Sequence, residues 1–141
     1  MDIGQLGVPA ALAFSAMGSA LGTGTAGMAA IGAWKKCYAQ NRLAPFLLVA
    51  FVGAPLSQTI YGMILMNTIK GSSADPMLRL SAGILGGIAI GLSAWYQGKS
   101  GASGSDALAE TGKGFANYIM VLGVIETVAL FVLVFLLIAL G

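Results

Sequence analysis

The sequence predicts an all-α membrane protein with four transmembrane helices arranged as two tandem helical hairpins. Three observations predict it. The first is the scarcity of charge. Of 141 residues, seven are Lys or Arg and five are Asp or Glu, while 57% are hydrophobic; a soluble domain carries about a quarter charged residues. The second is the placement of those charges. Residues 3–34, 43–69, 80–98 and 114–141 form stretches of 32, 27, 19 and 28 residues, and together they contain one charge, Glu126. A run of about 18 or more apolar residues without charge reads as a membrane span. The third is an internal repeat. A shift of 76 residues places Gly22 on Gly98, Ala26 on Ala102 and Gly18 on Ala94. Each half then reads as a Gly-rich helix, a connection and a bulkier helix with a polar residue midway.

The first helix is expected over roughly residues 4–33. Its flank carries Asp2 rather than a basic segment, and its apolar stretch is too long for a signal peptide, so it reads as retained. The second helix is expected over roughly residues 44–69, with Pro45 in a first turn that does not need its N–H. Gly71, Ser72, Ser73, Asp75 and Pro76 make a short turn. The third helix is expected over roughly residues 77–103 and the fourth over roughly 114–140, joined by a small, polar, Gly-rich linker from Ser100 to Gly114. Residues 1–141 read as one membrane domain, with hairpin 1 at about 1–73 and hairpin 2 at about 74–141.

Several function classes are excluded. There is no G-x-x-x-x-G-K-[ST] motif and no connection long enough to build a nucleotide site. A formal charge of +2, scattered along the chain, does not suit nucleic acid. His is absent and Cys37 is the one cysteine, which excludes a His/Cys metal cluster and an internal disulfide. Cys37, beside Lys35 and Lys36, reads as a loop residue. No cofactor is expected.

Orientation follows from Lys and Arg. The first connection holds Lys35, Lys36 and Arg42 and the third is flanked by Lys99 and Lys113; the opposite side has Lys70 and Arg79. This bias places the first and third connections in the cytoplasm and both termini outside. Helices 1 and 3 carry small residues at four-residue spacing: Gly18, Gly22, Ala26 and Ala30 on one, and Gly83, Gly87, Gly91 and, after Trp95 interrupts, Gly98 and Ala102 on the other. That spacing puts each set on one face where backbones can approach. Two such stripes in one chain favour a crowded assembly in which helices 1 and 3 face a tight inner surface.

Glu126 is the central residue. It lies 13 residues after Lys113 and 15 before position 141, roughly 20 and 22 Å from the two ends of a helix rising 1.5 Å per residue. It is therefore near the bilayer midplane, where an ionisable residue marks an ion path or proton relay. Gln58 lies 13 residues after Pro45 and reaches a similar depth, with Ser57 beside it and Tyr61 one turn on. Pro55 removes a backbone N–H and frees the Phe51 carbonyl; nearby carbonyls such as that of Ala54 can then tilt towards a ligand. Gln97 adds an amide from helix 3. It reaches the depth of Glu126 only if helix 3 continues well past Lys99, whose ammonium would then snorkel to water or an acidic partner. Singly, Gln58, Ser57 and Gln97 read as interhelical hydrogen bonds. Together with Glu126 they offer five or six oxygens around one negative charge, a set that suits a hard cation.

These residues resemble a known family. Gly18-Ser19-Ala20-Leu21-Gly22-Thr23-Gly24 is similar to the inner-helix motif of the V-type ATPase proteolipid subunits. Pro55-Leu56-Ser57-Gln58-Thr59-Ile60-Tyr61-Gly62 resembles the P-G-T-Q-G-L-Y-G stretch of their sodium-translocating members, Gln97-Gly98-Lys99 their Q-G-K, and Glu126-Thr127 their E-T. The resemblance covers nearly the whole chain. It implies the K or c subunit of a V/A-type ATPase or ATP synthase, a non-catalytic component of a homo-oligomeric rotor ring in the lipid bilayer of a prokaryotic cell (inner) membrane. It further implies that Glu126, Gln97, Gln58, Ser57 and the Ala54 carbonyl bind Na+, protons being the other candidate cargo. Tyr61 would hold the glutamate, Pro55 would support the site, and Gly18, Gly22, Gly83, Gly87 and Gly91 would serve ring packing. Implied partners are a stator membrane subunit with an Arg and a central-stalk subunit at the cytoplasmic connections. Ser57 stands where sodium binders often have Thr, and Leu56 replaces a Gly. The first half carries no acid in the equivalent region, so there is one carboxylate per four helices. The competing class is a small four-helix cation-coupled secondary transporter. Such exporters typically carry their acid in helix 1 among aromatic residues; here helix 1 is nearly all Gly, Ala, Ser and Thr.

Overall fold

The computed structural model describes residues 2–141. Four helices long and apolar enough to cross a membrane account for nearly all of them: α1 (Ile3–Ala39), α2 (Leu48–Gly71), α3 (Pro76–Thr111) and α4 (Phe115–Leu140). No strand occurs among the described residues. Short connections make successive helices antiparallel, so α1 and α3 run in the same direction.

α1 and α3 form the most extensive helix pair, and the reason is the absence of side chains between them. A Cβ added at Gly18 would collide with the backbone of Gly91, one at Gly22 with the Ala94 carbonyl, one at Gly83 with the backbone of Gly7, and one at Gly98 with the backbone of Gly22. The repeat is thus a contact as well as a pattern: Gly7 meets Gly83 and Gly22 meets Gly98, each pair 76 positions apart. Gly87 lies against the Ala10 and Ala11 carbonyls. The small-residue stripes therefore face each other within one chain, where close backbone approach replaces side-chain interdigitation.

α1 and α3 both run further than the sequence predicts. α1 continues six residues past position 33, so Cys37 is a buried helical residue, its thiol 3.9 Å from the Ala109 carbonyl. The reading of Cys37 as a loop residue is corrected. The expected Ser100–Gly114 linker is also corrected: α3 continues to Thr111. Small residues here are packing surface, not breakers. The Gly101 backbone lies against the Phe51 carbonyl and Cβ, and Gly101, Gly104 and Ser105 are all buried. α3 ends where Gly112 takes a left-handed φ of 68° and its N–H caps the Leu108 carbonyl at 2.8 Å, a conformation that costs glycine little.

Two helices are locally distorted. α2 tightens to a 3-10 turn over Ala54–Leu56, around Pro55, which cannot donate to the helical ladder. α3 widens to a π turn over Ala82–Gly86, where the backbones of Gly83 and Gly7 meet. The ends are fastened by polar contacts. Asp2 accepts from the Gly4 N–H at 2.9 Å and pairs with Arg79 at 2.6 Å, while Ser72 donates to the Leu140 carbonyl at 2.7 Å. At the opposite end Lys36 pairs with Glu110 at 3.2 Å and Arg42 donates to the Glu110 carbonyl at 3.3 Å.

The apolar core is divided along its length. One cluster gathers Leu65, Ile69, Ile90, Ala129 and Leu133; the other gathers Ala30, Leu48, Phe51, Leu108 and Leu122. On α2, α3 and α4 the residues between these clusters are Gln58, Gln97 and Glu126. A polar layer is thus sealed above and below by hydrocarbon.

Candidate functional site

The polar layer is built by three helices. α2 supplies Ser57, Gln58 and Tyr61 immediately after its Pro55 distortion, α3 supplies Ser93 and Gln97, and α4 supplies Glu126. Oε1 of Glu126 accepts from the Ser57 hydroxyl at 2.5 Å and from the Tyr61 hydroxyl at 2.7 Å. Oε2 accepts from the Gln97 amide at 3.3 Å. Three helices thus contribute to one carboxylate. Gln58 and Gln97 are fully buried, and the Gln58 amide donates to the Gln97 carbonyl oxygen at 2.9 Å, satisfying groups that would be costly to leave unpaired in hydrocarbon.

The acceptors outnumber the donors. Besides Glu126, Ser57 Oγ lies 3.1 Å from Gln58 Oε1 and 3.2 Å from the Ala54 carbonyl. A serine hydroxyl has one proton. It cannot satisfy a carboxylate, an amide oxygen and a backbone carbonyl at once. Four oxygens therefore converge with fewer protons than lone pairs, an arrangement that a small cation or an added proton completes.

The ion-site residues expected from the sequence fall in one place: Glu126, Gln97, Gln58, Ser57, Tyr61 and the Ala54 carbonyl are joined by hydrogen-bonding distances, and Pro55 sits in the distorted turn, whereas Gly18, Gly22, Gly83, Gly87 and Gly91, expected to serve ring packing, lie in the contact between α1 and α3 of the one chain. Helix α3 does continue past Lys99, which brings Gln97 level with Glu126. The Lys99 ammonium, expected to reach water or an acidic partner, stacks 4.3 Å from the Trp95 ring centroid and 5.1 Å from that of Tyr96, where the ring faces attract a cation.

One residue escaped the sequence reading. Ser93, buried on α3, donates to the Ile125 carbonyl at 2.9 Å. Gln97 does likewise one turn on, donating to the Leu122 carbonyl at 3.0 Å. A serine in a helix rich in small residues carries no signal of its own; its spacing of four from Gln97 is the only pointer.

Fold and site together define a class: a four-helix membrane protein holding a carboxylate among oxygen atoms and hydrogen-bond donors between two apolar layers. Residues 80–139, comprising most of α3 and nearly all of α4, match the family model for the ATP synthase C subunit. The match includes Ser93, Gln97 and Glu126, and over this part the chain is similar to that family. A search of curated proteins gives no match.

Proposed function

We propose that this chain is the rotor-ring (K or c) subunit of a V/A-type ATPase or ATP synthase and that it carries Na+ across the membrane on Glu126. One observation carries the reading: Glu126 Oε1, Gln58 Oε1 and the Ala54 carbonyl surround a Ser57 oxygen that has a single proton to give. Hard cations are held by such all-oxygen sets. Tyr61 donates to the same carboxylate oxygen and holds it inward. Copies pack side by side in a closed ring through head-to-tail contacts, with α1 and α3 inside and α2 and α4 outside.

A bound cation cancels the charge of Glu126, so the loaded site passes the lipid while an empty carboxylate is held back by a cost of about 3 kcal/mol or more. A stator Arg opens the site and exchanges the ion with two half-channels. The membrane potential supplies about 2.3 kcal/mol per charge per 100 mV. The end bearing Lys35, Lys36 and Arg42 faces the cytoplasm of a prokaryotic cell and meets the central stalk, and both termini lie outside.

A hydrophobic carbodiimide tests this. It modifies a protonated carboxyl reachable from lipid, so Glu126 should be labelled, and sodium added at fixed pH and ionic strength should slow the labelling. Slowing only with rising pH would assign protons as the cargo. Absence of labelling at Glu126 would sink the ion-carrier reading. A ring of many copies on a native gel separates this reading from the four-helix exporter.

A further inference from the structure

We propose that Ser93 is a positioning residue for the ion site, fixing the depth and rotation of α4 and hence where the Glu126 carboxylate stands. The inference rests on the ion-carrier reading of Glu126 and goes beyond it, because Ser93 touches neither the carboxylate nor any of the oxygens assigned to the ion.

The geometry is specific. α3 reaches α4 through two side-chain donors one turn apart, and both end on backbone carbonyls, Ser93 on Ile125 at 2.9 Å and Gln97 on Leu122 at 3.0 Å. Ile125 immediately precedes Glu126. Leu122 lies four residues before it, so its carbonyl is also the helical acceptor for the Glu126 N–H. Both tethers fall within the single helical turn that ends on Glu126. A backbone carbonyl cannot rotate independently of its helix, so a bond to it sets the helix itself, as a bond to a side chain does not.

α4 needs such a tether. Its surface is nearly all apolar, with Val, Leu, Ile, Phe and Ala over most of Phe115–Leu140. Large hydrophobics of α4 such as Val124, Val128, Phe131 and Phe135 are exposed. Apolar contacts alone resist sliding poorly, because lipid tails replace them at little cost. Gln97 divides its amide between the Leu122 carbonyl and Glu126 Oε2, so it shifts whenever the carboxylate does. Ser93 has a single bond and no role in the ion shell. It is the contact that stays when the site opens.

The test uses the assembled ring in detergent or lipid. Ser93→Ala, Ser93→Cys and Ser93→Thr are compared with Ser103→Ala, whose hydroxyl bonds only within its own helix. Two quantities are read at Glu126: the sodium concentration that halves carbodiimide labelling, and the pH at which labelling without sodium is half-maximal. Interhelical hydrogen bonds of this kind contribute about 0.6 to 1.7 kcal/mol. Ser93→Ala should therefore raise the protecting sodium concentration about threefold to twentyfold and displace the pH midpoint. Ser93→Thr, which keeps the donor, should stay near wild type, Ser93→Cys should fall between, and Ser103→Ala should change nothing. Should Ser93→Ala fail to assemble, the Ser93→Cys and Ser93→Thr pair decides by the same ordering.

Unchanged sodium protection and pH midpoint in Ser93→Ala would overturn the proposal, as would a shift equalled by Ser103→Ala. Failure of the underlying reading looks different, since wild-type Glu126 would then not label at all. A wild type that labels but is not protected by sodium leaves the pH midpoint as the deciding measurement.

Discussion

Glu126 stands in the membrane because two neighbouring helices turn hydroxyls and an amide towards it. Removing the carboxylate with Glu126→Gln is expected to abolish carbodiimide labelling while leaving the apolar packing in place, which mass spectrometry of the intact proteolipid checks. Ser57→Ala removes the hydroxyl shared among Glu126, Gln58 and Ala54. Hydrogen bonds to charged groups contribute about 1.5 to 3 kcal/mol, so the sodium concentration that protects Glu126 should rise at least about tenfold. Tyr61→Phe leaves the oxygen set intact but frees Oε1 of one donor; Glu126 should then label faster at a given sodium concentration. A second ionisable pair acts outside the membrane. The Arg79 guanidinium beside Asp2 holds its carboxyl below the ordinary carboxylate value, with help from the Gly4 N–H. A carboxyl depressed in the folded state contributes stability that is present above its ordinary value and is lost as pH falls through its lower folded value. The thermal stability difference between wild type and Asp2→Asn should therefore shrink on acidification below about pH 4 and persist at neutral pH.

At the scale of the helices, glycine decides two different things. Gly18, Gly22, Gly83, Gly91 and Gly98 let the α1 and α3 backbones touch. Gly98→Val would put a branched side chain against the Gly22 backbone, where nothing flexible can give way. It should separate α1 from α3, move Gln97 with its helix, and lower thermal stability by several degrees in a melting assay. Gly24 and Gly32, with open space at their Cβ positions, should accept Ala in the isolated chain with little change. The α2 distortion belongs to the same scale. Pro55 lets the Ala54 carbonyl approach Ser57, and restoring a regular ladder with Pro55→Ala should stabilise α2 locally while weakening ion protection.

At the scale of the whole molecule, the internal repeat is retained in architecture and abandoned in chemistry. Gly7 meets Gly83 and Gly22 meets Gly98, so the two halves lie side by side in matched register. Only the second half has an acid midway along a membrane span. Gln58, the counterpart in depth, has become part of the site around Glu126, to which it is linked through Gln97 and Ser57. Carbodiimide should accordingly saturate at one label per chain. A proposed ring of such chains carries one ion per four helices. For a given number of helices that means fewer ions per turn than two-helix subunits would carry, and a smaller ion-to-ATP ratio, which transport measurements against ATP turnover would read.

The sequence by itself determined the four spans, their antiparallel order and the residue on which the proposed function is centred. Those depend on the cost of placing charge in hydrocarbon, which is a property of single residues and short windows, and so Glu126, Gln58, Gln97, Ser57 and Tyr61 were legible before any contact was known. The tertiary structure decided what depends on partners. Ser100–Gly114 is mostly helix because Gly101 and Gly104 pack on Phe51, not because its residues favour helix. Cys37 is buried because α1 runs on beside Ala109. Ser93 became part of the site only when the Ile125 carbonyl appeared 2.9 Å away. A hydroxyl in a small-residue helix has the same local preferences wherever it points, and only the neighbouring helix gives it a role.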